Sequence, residues 1–197
     1  MQEVSEHLGQ PAHDLLECWK ALPPRDCVPD RRDFDPMAIP HVLPVVTLLQ
    51  RSADGAWRFR VAGTEIERRW GRNFTGLDYL GIDIVSPRAA ATMRREFELV
   101  TEFPCGSWSR RRVQFHSGRS AIIETLRLPL RGNDGAVSLI LSCSEELGDG
   151  SAEPTDAAYE IITIIDQRFL DIGARTPAEP APAEAQRCRP SAPAGTS

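Results

Sequence analysis

Glu124 is the residue of this chain best suited to acid–base chemistry. Strand alternation over Ala121 to Leu130 puts Ile122, Glu124, Leu126, Leu128 and Leu130 on one face. A carboxylate among aliphatic side chains needs a cation or a hydrogen-bond donor once that face is covered. Arg60 is the first candidate, on a strand whose opposite face carries Trp57, Phe59 and Val61. The pair reads either as a structural ion bridge or as polar contacts that orient a ligand in an otherwise apolar cavity. An enzyme is the alternative. Burial raises a carboxylate's pKa, and Glu124 would then be the general base of a small α+β isomerase or hydrolase. Spacing names no second acid or oxyanion donor beside it.

Other chemical constellations are missing from the sequence. It contains no G-x-S-x-G elbow, no G-x-x-x-x-G-K-[ST] loop and no G-x-G-x-x-G. The five cysteines, Cys18, Cys27, Cys105, Cys143 and Cys188, form no C-x-x-C pair and are odd in number. That argues for reduced thiols, partly core filler, over a disulfide framework or a thiolate zinc site.

The stretch FRVAGTEIERRWGRNFTG, Phe59 to Gly76, has a wall's composition. Thr64 and Glu67 read as a capping box, and Gly71 as the residue that closes a short helix. Ile66 and Trp70, four apart, share a face, so Trp70 is core or a pocket wall on which a planar ligand stacks. Trp108 and Phe115 carry the same two readings, and nothing in the stretch requires catalysis.

The formal charge is −5, which gives the chain no overall pull toward nucleic acid. Its strongest basic cluster, Arg110 to Arg112, reads as a solvated strand edge. No apolar run reaches the roughly 20 residues of a membrane span, and the N-terminus lacks a signal-peptide pattern. The expected location is the cytoplasm, with no membrane and no nucleic-acid partner.

These residues need elements to hold them. Pro11 to Leu22 reads as an amphipathic helix with Leu15, Leu16 and Trp19 on one face. A polar, proline-rich linker follows, with one helical turn after Asp35-Pro36. Val45–Arg51 and Ala56–Ala62 form a hairpin about Asp54-Gly55. Ser86-Pro87 starts the longest helix, whose Ala90, Met93, Phe97 and Val100 make a buried stripe. Ser107–Phe115, Ala121–Leu130 and Ala136–Ser144 form a meander whose first turn is Ser117-Gly118. Tyr159–Phe169 favours a further strand, and the Pro/Ala-rich end reads as disordered. The division is thus an N-terminal helix and linker over 1–35, a domain over 36–147, an extension over 148–174 and a tail over 175–197.

That order of elements resembles the PAS superfamily, in particular the bacterial group in which a PAS domain makes up most of a small protein. The residues that carry it are Leu16-Glu17-Cys18-Trp19, Asp33-Phe34-Asp35-Pro36, Val42-Leu43-Pro44, Phe59 to Thr64, Gly71, Phe74-Thr75-Gly76, and Glu124 to Leu130. The match covers about residues 12 to 147. It implies an α+β fold, a five-stranded antiparallel sheet of order 2-1-5-4-3 with helices packed on one face. It also implies sensing, scaffolding or dimerisation without a fixed chemistry.

Haem-binding relatives use a histidine on the long helix. The four histidines here, His7, His13, His41 and His116, all lie elsewhere. Photoreactive flavin relatives use a cysteine in an asparagine-cysteine-arginine loop, a context that Cys27 and Cys105 lack. The expectation is therefore a non-enzymatic regulatory protein with neither group. It would bind a small ligand through Arg60, Trp70, Phe97, Trp108 and Glu124, or bind a protein partner, or dimerise through the N-terminal helix. A ligand-free interaction module is the remaining alternative.

Overall fold

The computed structural model describes residues 8–82, 86–115, 119–148 and 159–174. The 175–197 tail, the Ser117-Gly118 turn, His7, His116 and Cys188 lie outside the described residues.

Along the chain, α1 (Gln10–Lys20) leads to a small antiparallel ribbon of β1 (Pro24–Arg25) and β2 (Val28–Pro29). Three single turns follow, Arg31–Asp33, Pro36–Ala38 and Leu43–Val45. The second begins where Asp35 accepts from the Met37 N–H at 2.9 Å. The hairpin of β3 (Val46–Arg51) and β4 (Trp57–Ala62) runs into α2 (Thr64–Trp70) and then α3 (Pro87–Glu102). The meander of β5 (Gly106–Phe115), β6 (Ser120–Arg131) and β7 (Val137–Leu147) precedes β8 (Tyr159–Leu170).

The main sheet is antiparallel throughout, in the order β4-β3-β7-β6-β5-β8. The first five strands take the expected 2-1-5-4-3 arrangement, and the isoleucine-rich segment adds a sixth. That sixth strand corrects the reading of the Arg110–Arg112 cluster. Because β8 pairs along the whole of β5, those arginines are not on an edge. Arg112 is exposed, but Arg111 is only 3% exposed.

Both faces of the sheet are covered, each by its own core. Along β6, Leu126, Leu128 and Leu130 pack with Leu15, Leu16 and Trp19 of α1 and with Phe34, Ile39 and Val42 of the linker. Ile123, an odd number of positions from those leucines, packs with Ile66 of α2 and Met93, Phe97 and Val100 of α3. Strand alternation assigns these sets to opposite faces. So α2 and α3 share one face, as expected, while α1 holds the other. The indole N–H of Trp19 donates to the Pro129 carbonyl at 2.9 Å, fixing α1 on the sheet. The apolar face of α1, with Leu15, Leu16 and Trp19, is thus buried against its own sheet.

One local expectation fails. The Thr64 side chain does not cap α2; Thr64 is the first helical residue and Gly63 is the cap, without a side-chain hydrogen bond. The cause is a close backbone approach. A Cβ on Gly63 would lie 2.3 Å from the carbonyl oxygens of Leu43 and Pro44, and the Gly63 N–H donates to the Val46 carbonyl at 2.8 Å. The chain's path into the helix is set there by main-chain contact, not by a side-chain cap. At the other end Gly71, at φ 62°, adopts the left-handed turn that closes α2. The Ser86 hydroxyl caps α3 as expected, accepting from the Ala89 N–H at 3.3 Å.

Candidate functional site

Between the sheet and the roof of α2 and α3 lies a cavity that opens to solvent at its mouth. Its walls are apolar and largely aromatic: Phe59 from β4, Ile66 and Trp70 from α2, Met93 and Phe97 from α3, and Phe74 and Tyr79 from the segment between the helices.

That segment is held by the sheet itself. The Gly76 N–H donates to the Phe59 carbonyl at 2.8 Å, the Phe59 N–H to the Leu77 carbonyl at 3.0 Å, and the Tyr79 N–H to the Trp57 carbonyl at 2.7 Å. It thereby satisfies the free edge of β4 and swings two aromatic rings inward. Phe59 lies 5.0 Å from Phe74 and 5.1 Å from Tyr79, centre to centre, and Tyr79 and Phe97 meet edge-on at 5.3 Å.

The floor is polar, and strand register makes it so. Thr47, Ser142, Arg127 and Ser107 are direct partners in a row across β3, β7, β6 and β5. Ser144, Thr125 and Ser109 form a second row, in which the Thr125 and Ser144 hydroxyls are 3.0 Å apart. Of these, Thr47, Thr125, Arg127, Ser142 and Ser144 line the cavity, together with Arg111.

Above the first row sits Glu96 of α3, buried with Arg111 and Arg127 at 3%, 3% and 4% exposure. One carboxylate oxygen accepts from the Ser107 hydroxyl at 2.5 Å and from Arg127 Nη1 at 3.0 Å. The other accepts from Arg111 Nη2. Burial by itself pushes the Glu96 carboxyl up. The two guanidiniums and the Ser107 hydroxyl outweigh it and hold the group well below the ordinary carboxylate range. Arg127 also lies over the Phe97 ring, 5.5 Å from its centre. A charged cluster thus ties α3 to the middle of the sheet, beside the cavity.

Arg111 is incompletely satisfied there. Its Nε and Nη1 are buried and find no acceptor within the described residues, and neither does the Ser142 hydroxyl. Such orphans are uncommon in folded proteins and mark places where something else belongs.

The five residues singled out from sequence divide. Trp70 and Phe97 line the cavity. Arg60 is exposed on the outer side of β4. Trp108 and Glu124 are buried on the opposite face, beneath α1. Glu124 accepts from the Gly9 N–H at 2.7 Å and from Arg110 Nε at 2.9 Å. It is the anchor of α1, not a group that reaches the cavity, and its cation is Arg110 in place of Arg60. The correction has one cause: alternation sorts side chains into two faces, and here both faces are roofed. Glu96, Arg111, Arg127 and Ser142 are the polar groups the sequence reading misses. Glu96 carried a signal, because it falls three residues after Met93 and four before Val100, on the buried stripe of α3.

Cys105 and Cys143 are buried and free. Burial, then nearby Glu96, pushes the Cys105 thiol up to about 12, and burial, then Glu145, pushes up Cys143. No metal-binding group of histidine, cysteine and carboxylate side chains occurs among the described residues. Among them, too, no helix is long and apolar enough to cross a membrane.

The PAS domain family matches residues 9–144, more than half of the chain. The chain belongs to the PAS domain family. Membership groups it with sensory and regulatory signalling modules.

No curated protein matches in sequence. Similar solved structures include a light-oxygen-voltage domain described with a flavin analogue, at 13% identity over 57% of this chain and 84% of that one, TM-score 0.41. The LOV protein of Rhodobacter sphaeroides shares 15% identity over 60% and 71%, TM-score 0.39. The VqmA–ligand–DNA complex of Vibrio cholera shares 14% over 59% of this chain and 52% of that one, TM-score 0.40. Likeness at this level carries no argument about ligand or partner.

Proposed function

We propose that this PAS protein is a non-enzymatic cytoplasmic sensor that takes a small molecule into the cavity between its sheet and α2–α3. The observation that carries the reading is the cavity's construction, apolar aromatic walls over a polar floor with unmet donors, the usual make-up of a small-molecule site. The cavity's lining includes no histidine and no cysteine among the described residues, which favours a reversible ligand over an axially held haem or a thiol-linked flavin. Occupancy would bias the Glu96 cluster, which joins α3 to the sheet, and pass as a population shift to a protein partner. Native mass spectrometry of the purified protein tests it. A non-covalent small molecule should accompany the chain, or be taken up from a metabolite extract. A chain that stays bare in both would sink the proposal.

A further inference from the structure

The cavity's charged lining is of one sign. Arg69, Arg111 and Arg127 are the charged residues among the described ones that line it, and all are cations. The nearest buried anion, Glu96, is shared between Arg111 and Arg127. The buried cluster therefore holds two guanidiniums against one carboxylate. An excess charge in a low-dielectric interior is costly unless a counter-charge or acceptors meet it.

The unmet donors point the same way. Arg111 spends Nη2 on Glu96, while Nε and Nη1 meet no acceptor among the described residues. These nitrogens bear three N–H groups, one on Nε and two on Nη1, each able to donate a charge-assisted hydrogen bond to an oxyanion. Ser142, next to Arg127 in the strand register, has an idle hydroxyl on the same floor. Both nitrogens have almost no solvent-accessible surface, so an acceptor meets them only as the guanidinium turns toward the cavity. Around this floor stand Phe59, Phe74 and Trp70, which offer apolar area and ring faces but little polarity. A cation would be repelled there, and a neutral apolar molecule would leave the donors unmet.

We infer that the ligand is a small amphipathic acid, with its carboxylate held by Arg111 and Ser142 and its apolar body against Phe59, Trp70 and Phe74. This rests on the cavity being a ligand site, and it adds the chemical class of what binds.

Matched acid and amide pairs test the class apart from the site. The probes are 3-phenylpropionate against 3-phenylpropionamide and hexanoate against hexanamide, titrated into the full chain by calorimetry and ligand-observed NMR. Each acid should bind at least about tenfold tighter than its amide, the scale of hydrogen bonds to a charged group. Arg111→Gln should remove most of that preference, weakening the acids far more than the amides. Because Arg111→Gln also loosens Glu96 and so puts folding at risk, Ser142→Ala is the second variant, with a smaller loss that falls mainly on the acids. In the wild type, the Arg111 Nε–Hε resonance should move on adding acid and stay on adding amide. Amides that bind as well as acids would overturn the anionic class and leave the cavity reading standing. No binding of any of the four at about 10 mM, a range that still reports very weak affinity, would overturn both.

Discussion

Arg111 of β5 donates to Glu96 of α3 at a point where both side chains are shut away from water, and Arg127 shares the same carboxylate. Removing the carboxylate would leave two buried cations with no counter-charge. Glu96→Ala should therefore cost about 3–5 kcal/mol in urea unfolding, the range for breaking one side of a buried ion pair. Replacing Glu96, Arg111 and Arg127 together by Met and Leu should recover most of that loss, since no orphaned charge remains.

The same cluster sets an acid limit. The folded Glu96 carboxyl lies below its unfolded counterpart, so protons favour the unfolded chain. Its contribution is complete above the ordinary value of 4.5 and disappears as the pH falls toward about 2. Stability measured by denaturant titration should fall across that window. In Glu96→Gln, already less stable at neutral pH, the fall should be shallower.

Glu145 has the opposite sign. It faces Glu124 across β6 and β7, and burial, then the Glu124 charge, raises its pKa despite Arg69. A raised carboxylate burdens the fold once it is ionised. Glu145→Gln should melt higher than wild type at pH 7, and the difference should vanish below the ordinary carboxylate range.

Gly63 admits no side chain because the main chain of Leu43 and Pro44 fills the place of its Cβ. Gly63→Ala should cost about 3 kcal/mol or more, beyond the usual range for overpacking because backbone atoms have to move. Chemical denaturation measures it directly.

The sequence shows local structure well and shows the site poorly, for physical reasons. Hairpin turns, the Ser86 cap and the 3.6-residue stripe of α3 are encoded within a few residues of each other. The polar floor is not: Thr47, Ser142, Arg127 and Ser107 become neighbours only through the pairing of four strands. Trp70 and Phe97 were within reach because each lies on a helix with one apolar face. Glu124 and Trp108 lie on the α1 side because β6 and β5 are buried on both faces, and alternation does not say which helix covers which. Arg111 reads as surface in the sequence, because its burial depends on β8 pairing along β5.

The account turns on the cavity being a place where a ligand sits. Ser142→Phe tests that most directly, since it puts a ring on the cavity floor. Native mass spectra of wild type and variant, after the same exposure to a metabolite extract, should show a small molecule on the wild type and none on the variant, with both folded by circular dichroism. A folded variant that keeps the same molecule would contradict the account.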